Sequence, residues 1–321
     1  MPMLASLALA LMTSVSPGTD TTLTVKPGTR LGVDNFAGSV SVTTWTRNAI
    51  RVRAAHHRQS MVHIESTPGR MELSSSTRMG VPTFVDYDLT LPTWMSIEVS
   101  GVGTDVRVDG LKADIKAETV KGDIRIMNSA GDMDLSTVQG VIELTAASGH
   151  VQASSVNDDV TASRCEGDLQ LESVNGGVIL VDTRGPNLDV SSVNGELIYS
   201  GAFQDGGSYS FSTHDGDVTL GVPEHSNLSV SVATYDGSFN SSFPVEMTTS
   251  DKRRKGREFR FTIGTGDANV ELEAFQGDIR LVRPDAIQKL VKEHQVKAAS
   301  ERQDRDRDDE DNDSDSDKGD K

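Results

Sequence analysis

The sequence predicts an all-β solenoid, and three observations support this fold class. A tetrapeptide similar to Ser-Val-Asn-Gly begins at Thr119, Thr137, Ser155, Ser173 and Ser192, at steps of 18, 18, 18 and 19 residues. Within each step, apolar residues stand on either side of a polar one, which is the pattern of a strand with one buried face. The chain also has 29 glycines and only 5% aromatic residues, as expected for short strands, frequent turns and a narrow core.

The repeat has a finer period of nine residues, which becomes visible when the sequence is aligned on glycine. The anchors of this half-repeat are Thr104, Ala113, Gly122, Gly131, Gly140, Gly149, Asp158, Gly167, Gly176 and Gly185. Two residues after the anchors from 104 to 176 stand Val106, Ile115, Ile124, Met133, Ile142, Val151, Val160, Leu169 and Val178. Four residues after them stand Val108, Ala117, Ile126, Leu135, Leu144, Ala153, Ala162, Leu171 and Leu180. The residue between each pair is polar except at Ile179, so each half-repeat predicts a short strand and a corner.

The two halves of each unit differ at the corner, two residues before the anchor. One half carries the large residues Val120, Val138, Val156 and Val174, and the other carries the small residues Ser129, Ala147, Cys165 and Thr183. This alternation makes the structural unit an 18-residue coil of two strands. Stacking such coils places like residues above like and buries a continuous column that no single coil could bury alone.

Two other β folds are consistent with part of the pattern. Asn175-Gly176 and Asn194-Gly195 are good hairpin turns and favour an antiparallel meander, but a meander does not require constant spacing or an alternating corner. A membrane barrel needs about 9–11 alternating residues per strand, and these strands alternate over about five. The solenoid explains the period and is our prediction.

The chain divides into four segments by composition. Residues 1–21 predict a secretory signal peptide, because Leu4–Met12 is apolar and is followed by small polar residues, although a basic start is missing. Residues 22–283 predict the solenoid domain, which is most regular over 101–200 and irregular at both ends. Residues 284–300 suggest a short helix, and residues 301–321, with a net charge of −6, suggest a disordered acidic tail.

Charge and composition restrict the class of partner. A formal net charge of −17 argues against nucleic acid, since binding to phosphates requires a basic surface. The chain contains no apolar run long enough for an ordinary transmembrane helix. Its single cysteine allows no internal disulfide, which export permits but does not require. We expect no cofactor.

Three segments and the Ser-Val-Asn-Gly coils together resemble one known family. The segments are Leu91–Ile126, Gly264–Leu281 and, as an opening strand pair, Asn35–Ala54. They resemble the bacterial family of unknown function catalogued as a putative adhesin and built from short β repeats. The resemblance implies a β-solenoid, an envelope or extracellular setting and no catalytic residues. The acidic tail departs from the family pattern.

An aspartate often follows the anchor, and it raises the question of a metal site. Asp105 and Asp123 should lie one above the other on adjacent coils, as should Asp114 and Asp132. Clustered carboxylates are ligands for Ca²⁺. The simpler interpretation is a turn residue whose side chain accepts local backbone N–H groups, with Arg107 and Arg125 offsetting its charge, and this is the interpretation we favour.

Other candidate sites are weaker. A basic loop could contact anionic envelope polymers, lipid head groups or the acidic tail, and it consists of Lys252, Arg253, Arg254, Lys255 and Arg257. Cys165 occupies the small corner position, so we interpret it as a packed thiol. His56, His57 and His63 lack the spacing of a metal site. Ten of the fifteen aromatic residues lie between Tyr199 and Phe275, which favours a widened coil filled with rings over a sugar-binding platform.

The first functional hypothesis is a non-enzymatic, exported β-solenoid that acts as an envelope or surface scaffold or adhesin through its outer faces. Its partner would be an envelope polymer, a glycan or a protein. The second is a Ca²⁺-assisted, polysaccharide-active β-helix enzyme, with Asp105, Asp123 and Arg125 as the nearest candidate cluster. The third is a periplasmic partner-binding module regulated by the acidic tail.

Overall fold

The computed structural model describes residues 18–57, 59–77, 79–246 and 257–294. The strands of the N-terminal half are β1 (Gly18–Thr24), β2 (Arg30–Trp45), β3 (Ala49–His56), β4 (Ser60–Thr67), β5 (Arg70–Thr77), β6 (Phe84–Pro92), β7 (Ile97–Asp109), β8 (Ile115–Lys121), β9 (Ile124–Met127), β10 (Ala130–Gln139) and β11 (Ile142–Thr145). Those of the C-terminal half are β12 (Ser148–Ser155), β13 (Val160–Ser163), β14 (Glu166–Ser173), β15 (Val178–Ser192), β16 (Leu197–Asp215), β17 (Val218–Gly221), β18 (Leu228–Thr234), β19 (Phe239–Ser241), β20 (Arg257–Ile263), β21 (Ala268–Gln276) and β22 (Ile279–Val282). Among these described residues there is one helix, α1, which spans residues 284–294.

The strands form two stacks that enclose the core. The first stack has the order β4-β5-β2-β7-β8-β10-β12-β14-β15-β16-β21-β18-β20. The second has the order β1-β3-β6-β2-β7-β9-β11-β13-β15-β16-β17-β22-β19. The long strands β2, β7, β15 and β16 bend around a corner and belong to both stacks, so the sheet is continuous.

The register confirms the predicted 18-residue coil. Parallel pairing matches Gly131 with Gly149 in the first stack and Ile142 with Val160 in the second. The step lengthens to 19 residues where Leu171 pairs with Val190, and to 21 where Val190 pairs with Phe211. The fold is therefore the β-solenoid that the repeat predicts.

The core is the column of apolar pairs identified in the sequence. All eighteen predicted positions are at most 2% exposed, because successive side chains of a strand point to opposite faces and these point inward. The longer coils enclose larger side chains, and Tyr199, Tyr209 and Phe211 are each 1% exposed. The hydroxyls of the two tyrosines are hydrogen-bonded: Tyr199 donates to the Ala202 carbonyl at 3.0 Å and Tyr209 to the Gly185 carbonyl at 2.8 Å.

Both ends of the solenoid depart from chain order. Strand β2 lies between β7 and the later strands β5 and β6, and the final coil, β21 with β22, lies between the coils of β16–β17 and β18–β19. Antiparallel pairs close the described ends, as in β1 with β3, β4 with β5 and β18 with β20. The sequence predicts irregular ends but not these insertions, because the local repeat contains no information about stacking order.

The anchor glycine and the hydroxyl residue before it have separate packing roles. A Cβ atom on Gly140 would lie 2.0 Å from the Gly122 carbonyl oxygen of the preceding coil, which leaves no room for a side chain. Three residues before the anchor, the Thr137 hydroxyl donates to that same carbonyl at 3.2 Å. The equivalent Ser155 hydroxyl donates to the Gly140 carbonyl at 3.1 Å. The recurring tetrapeptide therefore joins each coil to the one before it.

Candidate functional site

The two kinds of corner predicted from the sequence differ sharply in burial. The small residues Ser129, Ala147, Cys165 and Thr183 are at most 1% exposed. The valines of the other corner are 36–45% exposed, and they are Val120, Val138, Val156 and Val174. The outward position of the valines follows from strand alternation, because the hydroxyl residue immediately before each valine points inward to the preceding coil.

The exposed valines belong to a longer line of outward side chains, which we call the apolar ridge. Strand register continues the line in both directions, through Phe36 and Val102 at one end and Val193 at the other. Beyond Val193 the same register position is occupied by His214, Phe275 and Tyr235. In spatial order the ridge is Phe36, Val102, Val120, Val138, Val156, Val174, Val193, His214, Phe275 and Tyr235.

The ridge contains most of the exposed large apolar side chains of the described residues. Phe36 and Val102 are each 46% exposed, Phe275 is 39% exposed and Tyr235 is 47% exposed. The three rings at the end are stacked nearly parallel, with centroids 4.8 Å apart for His214 and Phe275 and 4.7 Å apart for Tyr235 and Phe275. At about 4.8 Å per rung, nine steps make a ridge about 43 Å long. The largest apolar patch on the surface of a soluble protein is often a functional site.

Polar, mostly uncharged residues flank the middle of the ridge. On one side Asn175 donates to the Asn157 side chain at 2.9 Å, and Asn194 donates to Asn175 at 2.8 Å. On the other side a shallow groove of about 340 Å³ follows the ridge from Val174 to Phe275. Its polar lining includes Ser154, Ser191, Ser212, Glu172 and Glu273. The ridge is therefore an apolar line within a polar border.

The structure places Asp105 and Asp123 one above the other in a chain of side chain to backbone bonds. Oδ1 of Asp105 accepts the Asp123 backbone N–H at 2.9 Å, and Oδ1 of Asp123 accepts the Val141 N–H at 2.9 Å. The same contact recurs from Asp217 to the Asp278 N–H at 2.8 Å. In each case the backbone N–H that donates to the aspartate belongs to the next coil, and not to the same turn as the sequence analysis predicts.

Asp114 and Asp132 lie in a separate column at the opposite corner. They line a shallow groove together with the cationic side chains of Arg30, Arg70 and Lys116. Arg70 pairs with Glu72 and Glu98, and Lys116 pairs with Glu118. Within the described residues, no group of three or more His, Cys, Asp or Glu side chains has an arrangement suited to a metal ion. The Ca²⁺ hypothesis for the two columns therefore stays without geometric support.

Arg125 is held between two carboxylates. Its Nη2 lies 2.8 Å from Oδ2 of Asp123 and its Nε lies 2.8 Å from Oε2 of Glu143. Partial burial acts against the charged form, but attraction to Glu143 and then to Asp123 raises the pKa of Arg125 above its ordinary value. A guanidinium that stays protonated cannot act as a general base.

The remaining predicted candidates form no shared site within the residues that the structure describes. Lys252, Arg253, Arg254 and Lys255 lie outside the described residues, and Arg257 begins strand β20. His56 contacts the Thr19 hydroxyl, whereas His63 contacts the Ser76 hydroxyl. Cys165 is fully buried, and this burial raises the pKa of its thiol, in agreement with its interpretation as a packed residue.

Helix α1 provides a contact that sequence reasoning missed. Ile287 is 1% exposed and packs on Ile179 and Ile198, which point out from the second stack. At the end of the helix, Nε2 of His294 lies 3.1 Å from Oδ2 of Asp159, and its Nδ1 lies 3.6 Å from Oε2 of Glu196. The hydrogen bond with Asp159 and then the nearby Glu196 carboxylate raise the pKa of His294 to about 9. The sequence feature that could have predicted this contact is Ile179, the one apolar residue among the outward, polar positions of the strands. An apolar side chain on the outer face is favourably placed only when another element packs against it.

The arrangement defines a class of protein: a β-solenoid repeat protein with a closed core, an apolar surface ridge and flat polar faces. The model of the Toastrack DUF4097 family matches residues 23–282, and the chain belongs to this family. This confirms the resemblance noted in the sequence. No curated protein matches the chain.

Two solved structures are similar to the chain at low identity. One is a putative adhesin from Parabacteroides distasonis, with 10% identity and a TM-score of 0.37 over 83% of this chain and 98% of that one. The other is a putative cell adhesion protein from Clostridium sporogenes, with 10% identity and a TM-score of 0.29 over 83% of this chain and 99% of that one. In the part of the chain that the structure describes, no helix is both long and apolar enough to cross a membrane.

Proposed function

We propose that this protein is a non-enzymatic, exported component of the bacterial envelope or cell surface, which acts as an adhesin-like scaffold and binds partners through the outside of its solenoid. The observation that carries the proposal is the apolar ridge, a line of ten outward side chains along the molecule, nine of which are apolar and exposed. Contiguous patches of this kind mark interaction sites on soluble proteins. Export is supported by the apolar segment Leu4–Met12, which has the character of a signal peptide.

A polysaccharide-active enzyme is the less favoured function. It would require a general base close to clustered carboxylates, and the candidate cluster pairs Asp105 and Asp123 with Arg125. The two ion pairs of Arg125 oppose that role, since they stabilise its protonated form. The inter-coil bond that Asp123 makes with the Val141 N–H also gives its carboxylate a structural function.

Localisation and a ridge variant together test the proposed function. Host cells would be fractionated, the mature N-terminus determined by mass spectrometry, and surface exposure measured by protease treatment of intact cells. We expect a chain that has lost its first residues and is found in the envelope or outside the cell. An unprocessed chain in the cytosol would contradict export.

The ridge is tested by comparing two variants with matched charge. Val156→Asp with Val174→Asp places two carboxylates on the ridge, whereas Gln152→Asp with Gln170→Asp places two on the same coils, four residues before it. We expect the first variant to be released from the envelope fraction and the second to remain. Equal retention would show that the ridge does not mediate the interaction.

A further inference from the structure

We propose that the occupant of the apolar ridge is a second copy of this chain, so that two solenoids pack along their ridges as a homodimer. This inference rests on the proposed function, since it names the partner of the same surface. A line of near-identical side chains at constant pitch is complementary to a copy of itself, because the rungs of both copies have the same spacing of about 4.8 Å. A heterologous partner would have to reproduce that pitch.

The dimensions of the ridge are suitable for a small dimer interface. The ridge, the two residue positions before it and the one after it form a strip four positions and about 14 Å wide, at about 3.4 Å per residue along each strand. Over about 43 Å, this strip has an area of about 600 Å² per copy, or about 1,200 Å² in total, which is the lower limit of a stable interface. Its centre is apolar and its border polar, as in protein interfaces generally.

The charges on the border are also compatible with self-association. The positions immediately after the ridge residues are Ala37, Gly103, Lys121, Gln139, Asn157, Asn175, Asn194, Asp215, Gln276 and Asp236. The positions two residues before them are Asp34, Ser100, Glu118, Ser136, Ser154, Glu172, Ser191, Ser212, Glu273 and Ala233. In an antiparallel dimer, each of these two series faces the same series of the second copy in reverse order. In a parallel dimer, each residue that follows the ridge faces the residue that precedes the ridge on the same rung of the second copy.

No two like charges face each other in either orientation. In the antiparallel dimer Lys121 lies opposite Asp215 of the second copy, and Glu118, Glu172 and Glu273 lie opposite serines. In the parallel dimer Lys121 lies opposite Glu118 of the second copy, and the other carboxylates lie opposite uncharged residues. A chain with a net charge of −17 would otherwise resist self-association, so this distribution favours the ridge over the acidic faces as the contact.

Sedimentation equilibrium of the full chain tests the inference. We expect a dimer with a dissociation constant in the micromolar range, and tighter association at higher salt, because salt screens the repulsion between copies. Val156→Asp with Val174→Asp should weaken dimerisation at least about 100-fold, whereas Gln152→Asp with Gln170→Asp should change it less than about threefold. Val156→Ser with Val174→Ser, which adds no charge, should weaken it about 10-fold. Circular dichroism would verify that each variant is folded.

Disulfide cross-linking would locate the contact, and Cys165 does not interfere because it is buried. A Val156→Cys chain should cross-link to its own copies in a parallel dimer, and to a Val174→Cys chain in an antiparallel one. A dimer that forms neither cross-link would overturn the inference. So would a dimer whose dissociation constant is unchanged by Val156→Asp with Val174→Asp. So would a chain that stays monomeric at several hundred micromolar in 0.5 M salt. If the unmodified chain is monomeric but the Val156→Asp with Val174→Asp variant is still lost from the envelope fraction, the proposed function stands and only the identity of the partner is wrong.

Discussion

The two corners of each coil are nine residues apart in the sequence but have opposite environments. At the small corner, Cys165 and its equivalents are buried, and the residue before each adopts a left-handed backbone conformation, as Ala146 does with a φ of 52°. At the valine corner, Val156 and its equivalents face solvent. Packing therefore explains the residues of the small corner, but it does not explain why valine recurs at an exposed position. This difference is why the ridge, rather than the core, is informative about function.

The largest expected effect comes from the anchor that follows the valine corner. Gly140→Ala would place a Cβ atom 2.0 Å from the Gly122 carbonyl oxygen, so the coils would have to separate. We expect a loss of about 3 kcal/mol or more in the free energy of unfolding, measured by denaturant titration. Gly28→Ala is the control, because nothing lies within 4 Å of that position and only its φ of +87° is unfavourable. A cost for Gly140→Ala no greater than that for Gly28→Ala would contradict the close packing of the anchors.

The second effect concerns helix α1, which ends beside the valine corner. The pKa of His294 is raised to about 9 by its two carboxylate partners, so its contribution to docking is fully present below the unfolded pKa of about 6.5. This contribution, on the order of 3 kcal/mol, is lost as the pH rises through about 9. Nuclear magnetic resonance should show the ring titrating near pH 9 and the amide signals of residues 284–294 shifting with it.

His294→Gln is the matched variant for this titration. It should remove the alkaline transition of the helix and leave the signals of the solenoid core unchanged. A ring that titrates near pH 6.5 in the unmodified chain would show that Asp159 and Glu196 do not hold the imidazolium.

Enlarging a residue at each corner tests the comparison directly. Cys165→Leu should destabilise the protein by about 1–3 kcal/mol, because it inserts volume into a packed corner. Val156→Leu should change stability by less than about 0.5 kcal/mol, because the side chain is exposed. Thermal unfolding of the two variants would measure the difference, and equal costs would show that both corners are equally constrained.

The smallest effect is a stabilisation. Ala146 has a φ of 52°, a conformation that glycine adopts without the steric cost of a Cβ atom. Ala146→Gly should therefore increase the free energy of unfolding by about 1 kcal/mol, measured by denaturant titration against the unmodified chain. Ser154→Gly, at an exposed strand position with no left-handed requirement, should instead be destabilising.

Much of the fold could be predicted from local spacing. The apolar pairs exemplified by Ile124 and Ile126 identify the buried face, and the nine-residue period identifies the coil, since a stacked rung must repeat its own length. The candidate site was harder to predict. Val138 and Val156 were recognised as a distinct corner, but their exposure was not, and Tyr235 and Phe275 were not linked to them because they lie outside the regular repeat.

Local repetition is sufficient to establish the β-solenoid, its 18-residue coil and its core positions, because each depends on contacts between a residue and its equivalent one coil away. The folded chain was needed to establish the stacking order at the ends, the docking of His294 between Asp159 and Glu196, and the continuation of the ridge from Val193 to Tyr235. These contacts join residues at irregular separations of up to 135 positions. A periodic pattern contains no record of such contacts, because they depend on how the whole chain folds back on itself.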